Sequence, residues 1–154
     1  MLKEVEVIQG AVLKAMLCGS RVTCNPAPTG TDQDVIALVK DIEATANNHF
    51  TGKALKDYCN EIADPLHAAG FVCGGSGDGD DEFESWTKGD INLILTADVE
   101  FYNRFVAATT VARRLNILEK EDRKALFRAV LYSENCYYPR EDGQPFALPE
   151  AELF

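Results

Sequence analysis

Met16-Leu17-Cys18-Gly19-Ser20 is a short apolar run that stops on a glycine, and eleven residues separate it from Asp32-Gln33-Asp34-Val35-Ile36-Ala37-Leu38-Val39. Val35 to Val39 is continuously apolar and of strand length, which predicts a central strand. Met16 to Cys18 predicts a short buried strand running straight into Gly19-Ser20. Between them, Asn25-Pro26-Ala27-Pro28-Thr29-Gly30-Thr31 is turn chemistry and predicts a loop.

Working outward, Leu2, Val5, Ile8, Val12 and Ala15 fall at helical spacing and predict an amphipathic first helix. Ala54, Leu55, Tyr58, Cys59, Ile62, Leu66 and Ala69 mark a second helix from Thr51 to Ala69, kinked at Pro65 and ended by Gly70. Phe71-Val72-Cys73 predicts a strand. Gly74 to Asp81 predicts a flexible acidic loop, whose order of acids is not that of an EF-hand because Phe83 stands where its glycine belongs. Strands are expected at Phe83 to Thr87 and Ile91 to Thr96. Phe101, Phe105, Ala108, Ala112 and Leu115 then mark one helix, and Ala125, Leu126, Ala129 and Val130 another. The expected fold is α/β (α+β): a mixed sheet of about four to five strands flanked by helices, two of them C-terminal. Residues 1–138 form one domain in this reading, and 139–154 an extended tail that lies on the surface or frays.

The chain of 154 residues is 46% hydrophobic and 26% charged, a globular composition. Its 15 Lys and Arg against 25 Asp and Glu give a net charge of -10. That charge disfavours binding to duplex nucleic acid through phosphate neutralisation alone. It does not exclude a nucleotide-handling enzyme, where metal ions offset clustered carboxylates. No apolar run approaches the ~20 residues of a transmembrane helix, and the N-terminus lacks a secretory profile. A soluble, cytoplasmic protein is expected. Cys18, Cys24, Cys59, Cys73 and Cys136 are an odd set with no C-x-x-C pair, so they read as small buried hydrophobes in a reducing compartment.

Alternate residues of an extended segment point the same way, so Asp32 and Asp34 present both carboxylates to one side. Such a pair repels unless a cation sits between, and Mg²⁺ (or Mn²⁺) suits it where phosphates complete the shell. A glycine permits close backbone approach, and the hydroxyl of Ser20 can hydrogen-bond a phosphate oxygen. Asp90 is a candidate third acid, and Asn92 shares its face of the strand by alternation. With Asn92 in the matching position the metal set would be incomplete.

A Gly-Ser after one strand, then Asp-x-Asp before the next and a later third acid, resembles the nucleotidyltransferase superfamily, the fold of DNA polymerase β, tRNA CCA-adding enzymes and antibiotic nucleotidyltransferases. The stretch Phe83-Glu84-Ser85-Trp86-Thr87-Lys88-Gly89-Asp90-Ile91-Asn92-Leu93-Ile94 is also similar to small phage-encoded proteins of that kind, which would place the chain in a host cytoplasm. The resemblance implies transfer of a nucleoside monophosphate from an NTP to a hydroxyl of a small molecule, protein or RNA end, with release of pyrophosphate. Asp32, Asp34 and Asp90 would hold the metal ions, and Gly19, Ser20, Arg21 and Lys88 the nucleotide. A chain this short has no room for a separate acceptor domain, so a protein partner or homodimer is expected. The competing reading is an inactive acidic binding protein, for example a phage inhibitor that covers a basic nucleic-acid-binding surface of a host defence complex. Trp86 and His67 read as packing residues.

Overall fold

The computed structural model describes residues 1–40, 56–76 and 83–131. The start of the expected second helix, most of the acidic loop and the tail from residue 139 lie outside the described residues. The elements are a 3₁₀ helix (Lys3–Ile8), β1 (Val12–Cys18), α1 (Ser20–Thr23), β2 (Gln33–Val39), a π-helical turn (Cys59–Ala63) leading into α2 (Asp64–Ala68), β3 (Val72–Ser76), β4 (Glu84–Lys88), β5 (Ile91–Thr96), α3 (Val99–Leu115) and α4 (Lys120–Leu131). The five strands form one sheet in the order β1-β2-β5-β4-β3. Only the β2–β5 pair is parallel, and the other three are antiparallel. This is the mixed α+β sheet expected, flanked by helices with two of them C-terminal.

The packing of β2 explains why its stretch from Val35 to Val39 is apolar throughout. Val35, Ala37 and Val39 face a core built with Val5, Ile8, Ile62, Leu66, Trp86, Leu93 and Leu95. Ile36 and Leu38 face the opposite core, with Cys18, Phe101 and Tyr102. Period-two alternation sends half the strand to each side, so a strand covered on both faces shows no polar positions. The 3₁₀ helix and α2 cover the first face, and α3 covers the second.

The first helix is a correction. Leu2, Val5 and Ile8 recur every three residues, which is the 3₁₀ repeat, and Val5 and Ile8 are buried along that line. The turn at Gln9-Gly10-Ala11 ends it, and Val12 and Ala15 belong to β1. Among the described residues β1 pairs only with β2, at one edge of the sheet, and its Leu13 and Lys14 are exposed. Pro65 produces no break between separate helices. The π-helical turn ends at Ala63, and Pro65 occupies the first turn of α2, where the missing N–H costs little. Gly70, at φ 95°, closes α2: Phe71 N–H reaches Leu66 O at 2.9 Å and Gly70 N–H reaches His67 O at 3.0 Å. β3 runs on through Gly74 to Ser76, so the first part of the expected acidic loop is strand.

α3 begins at an Asp98 cap whose carboxylate accepts from the Glu100 and Phe101 N–H groups at 2.9 and 3.1 Å. It ends at Asn116, left-handed at φ 48°, with Ile117 N–H returning to Ala112 O. Trp86 is 1% exposed and packs edge-on against His67, as packing residues do. Cys18 and Cys24 are buried and Cys59 is half-buried, but Cys73 is exposed, contrary to the general expectation for the cysteines. Among the described residues, no helix is long and apolar enough to cross a membrane.

Candidate nucleotide site

The site forms where β1 ends and β2 and β5 begin. Gly19 follows β1 at φ 75° and ψ -175°, a backbone region that essentially only glycine enters. A second requirement falls on the same position. A Cβ on Gly19 would overlap Asp34 Oδ2 and stand 2.7 Å from Asp34 Cγ. The glycine therefore lets the strand-ending turn pass directly against the Asp34 carboxyl.

The register of the sheet places Asp34 between Cys18 on β1 and Asn92 on β5. Asn92 Nδ2 donates to Asp34 Oδ1 at 2.9 Å, and Ser85 Oγ on β4 donates to Asn92 Oδ1 at 2.9 Å. Burial raises the Asp34 carboxyl above its ordinary range; the Asn92 bond opposes this, the charge of Asp32 adds to it, and Arg21 opposes it. Burial, followed by the charge of Asp34, likewise pushes the Cys18 thiol far up, so it is a packing group and not a thiolate.

Gly19, Ser20, Asp32 and Asp34 line one wall of a cavity of about 750 Å³. A second wall comes from α4 and the turn before it, through Leu118, Glu119, Lys120, Arg123, Lys124 and Phe127. The cationic face was not anticipated. Lys120, Arg123, Lys124 and Phe127 stand at i, i+3, i+4 and i+7, the spacing of one helix face, and that pattern was available to be read. Arg123 also donates to the Ile117 and Leu118 carbonyls at 3.0 and 2.6 Å, which fixes the turn before α4. Lys124 makes a long, solvent-exposed pair with Glu121 at 3.5 Å.

The two walls are tied together by Asn116. Its Oδ1 accepts from Asn25 N–H at 2.8 Å and its Nδ2 donates to Asn25 O at 3.0 Å. The left-handed backbone that ends α3 thus also anchors the loop carrying Pro28, Gly30 and Thr31 to the cavity's edge.

The remaining expected residues stand apart from this cavity. Arg21 points to Asp90, at 3.1 Å, and to Gln33 Oε1, at 3.4 Å, and neither Arg21 nor Asp90 lines the cavity. Lys88 sits over the Phe71 ring, 5.7 Å from its centroid, at the far end of β4 from Glu84.

Asp32 and Asp34 suit one hard divalent cation whose remaining ligands come from phosphates and water, the usual habit of Mg²⁺. Among the described residues no three His, Cys, Asp or Glu side chains gather as a metal cluster. The residue beside Asp34 on β5 is the neutral Asn92, so the donor set fits one cation and falls short of two.

No protein-family model matches the chain, and no curated protein matches it. Among solved structures, it is similar to terminal uridylyl transferase 4 from Trypanosoma brucei with bound UTP and UpU, at 15% identity and a TM-score of 0.42. The likeness covers 72% of this chain and 35% of that one, so the chain spans about a third of the longer protein.

Proposed function

We propose that the chain binds a nucleoside triphosphate with a divalent cation and transfers the nucleoside monophosphate to a hydroxyl acceptor. The observation that carries this reading is the cavity itself, whose lining brings a carboxylate pair and a close-approach glycine together with three cationic side chains and Glu119. A polyphosphate needs both walls. Lys120, Arg123 and Lys124 on the first turns of α4 offset its charge, helped by the positive end of a 12-residue helix. Asp32 and Asp34 would hold the cation, which when bound supplies charge neutralisation at the reacting phosphate.

In this reading Ser20 Oγ hydrogen-bonds a phosphate oxygen, and Gly19 lets the Asp34 carboxyl sit against the turn that would carry the phosphates. Leu118 and Phe127 give the nucleoside an apolar surface. The acceptor oxygen bonds to the α-phosphorus, the bond from that phosphorus to the bridging oxygen breaks, and pyrophosphate leaves with the electron pair. The acceptor proton passes to solvent.

Calorimetric titration with each NTP, with and without Mg²⁺ or Mn²⁺, tests the binding half. Wild type is expected to show cation-dependent binding that the Asp32→Asn/Asp34→Asn variant loses. Pyrophosphate release with candidate acceptors tests the transfer. The net charge of -10, with Asp32 and Asp90 both exposed, favours a second reading as an acidic surface that covers a basic partner. That reading expects no nucleotide binding, and a graded loss of partner affinity as scattered acids are neutralised.

A further inference from the structure

The two oxygens of Asp34 have different surroundings. Oδ2 packs against Gly19, on the side of the cavity wall. Oδ1 accepts the Asn92 amide at 2.9 Å, inside the sheet. An ionised carboxylate can only accept, so the amide must turn its nitrogen toward Asp34, and Ser85 Oγ occupies the amide oxygen at the other end. Asn92 is thus held at both ends with its donor hydrogens facing the carboxylate.

A carboxylate that bridges two cations gives one oxygen to each, with the ions about 3.5–4 Å apart. Here the second oxygen is engaged by an uncharged donor. The parallel pairing of β2 with β5 puts residue 92 directly beside Asp34, the place from which a carboxylate would have to share a cation with it. Asp90, two residues earlier, is turned to Arg21. We infer that Asn92 restricts this site to a single divalent cation by occupying Asp34 Oδ1. Asn92 is a positioning residue that sets the number of ions. The inference rests on the nucleotide-binding reading above and deepens it. Transfer then proceeds without a cation dedicated to the acceptor oxygen, and its rate depends on the acidity of the acceptor hydroxyl.

The test is a Mn²⁺ titration followed by electron paramagnetic resonance, at saturating non-hydrolysable NTP analogue. One protein-bound Mn²⁺ per chain is expected for wild type, and two for Asn92→Asp. Asn92→Ala, which frees Oδ1 without adding charge, is expected to take a second ion more weakly, and it keeps the test decisive if the aspartate variant does not fold. Thermal melts give a second readout. Asn92→Asp should melt below wild type without Mn²⁺, because two carboxylates then face each other, and should recover when Mn²⁺ is added. Two ions in wild type, or one ion in both Asn92 variants, overturns the inference while leaving nucleotide binding intact. A wild type that binds neither the analogue nor Mn²⁺ overturns the nucleotide reading and the inference with it.

Discussion

Two carboxylates, a half-buried Asp34 and a buried Glu84, lie on opposite faces of the same sheet, and both are pushed above their ordinary range by loss of solvent. Glu84 on β4 points into the core beneath α2. Tyr58 Oη donates to its Oε2 at 2.5 Å and Trp86 Nε1 at 3.1 Å, and burial together with this bond pushes the Tyr58 hydroxyl up as well. Asp34 on β2 has one amide partner, an acidic neighbour in Asp32, and a cavity in front of it. A raised carboxyl therefore does not by itself separate an acid closed into the core from one that lines a cavity. The separating features are the polar partners and the space. Glu84 is closed in by two donors from its own core, whereas Asp34 opens toward cations held on another element.

The sharpest way to break the contrast is to neutralise each acid in turn. Asp34→Asn should abolish cation-dependent nucleotide binding in calorimetry and leave the circular dichroism spectrum and melting temperature close to wild type. If it unfolds the protein, Asp34 is a structural acid like Glu84. Next in size is Gly19→Ala, which forces a side chain into a glycine-only backbone region and into Asp34. Chemical denaturation should show a loss of about 3 kcal/mol, since strained backbone and overpacking each cost about 1–3 kcal/mol.

Glu84→Ala should cost about 2 kcal/mol by the same measurement, because Tyr58 and Trp86 lose a buried acceptor. It should leave nucleotide affinity unchanged. Glu84→Gln sharpens the point through pH. The folded state holds the Glu84 proton more tightly than the unfolded chain does. Its contribution to stability is therefore complete below the ordinary carboxylate range and is lost as pH rises through the raised folded value. Denaturation curves from pH 4 to 8 should fall less steeply for the glutamine variant than for wild type. The smallest effect is expected at Asn116. Asn116→Gly keeps the left-handed backbone but removes both bonds to Asn25, for a loss of about 1 kcal/mol. Nucleotide affinity should weaken as the two walls uncouple.

These contrasts also show what could be read from residues alone. β2 was legible because its covered part, Val35 to Val39, is an unbroken apolar run, and β5 from the shorter apolar run Leu93 to Leu95. Gly19, Ser20, Asp32 and Asp34 were legible because they are close in the chain and adjoin strands whose directions could be inferred. The 3₁₀ helix was misread as a longer helix because a repeat of three and a repeat of three-and-four agree over so few residues. Alternation puts Asp90 and Asn92 on one face of the strand, and only the register with β2 assigns Asn92 to Asp34. Lys120, Arg123 and Lys124 were missed because nothing local says which way the face of α4 will turn. That depends on how α4 packs on α3, a tertiary fact.

The parallel seam between β2 and β5 has a consequence for the order in which the molecule forms. β1 with β2, and β3 with β4 and β5, are each antiparallel neighbours in sequence that can pair early. The Asp34–Asn92 bond crosses from one group to the other over 58 positions of chain. Closing so long a loop is entropically costly until both halves exist, so the seam is expected to zip late in folding. Asp34, which lines the cavity, has its amide partner across that seam, so nucleotide binding, if the proposed function holds, would be a late report on folding: a chain that binds is one whose two halves have already found each other.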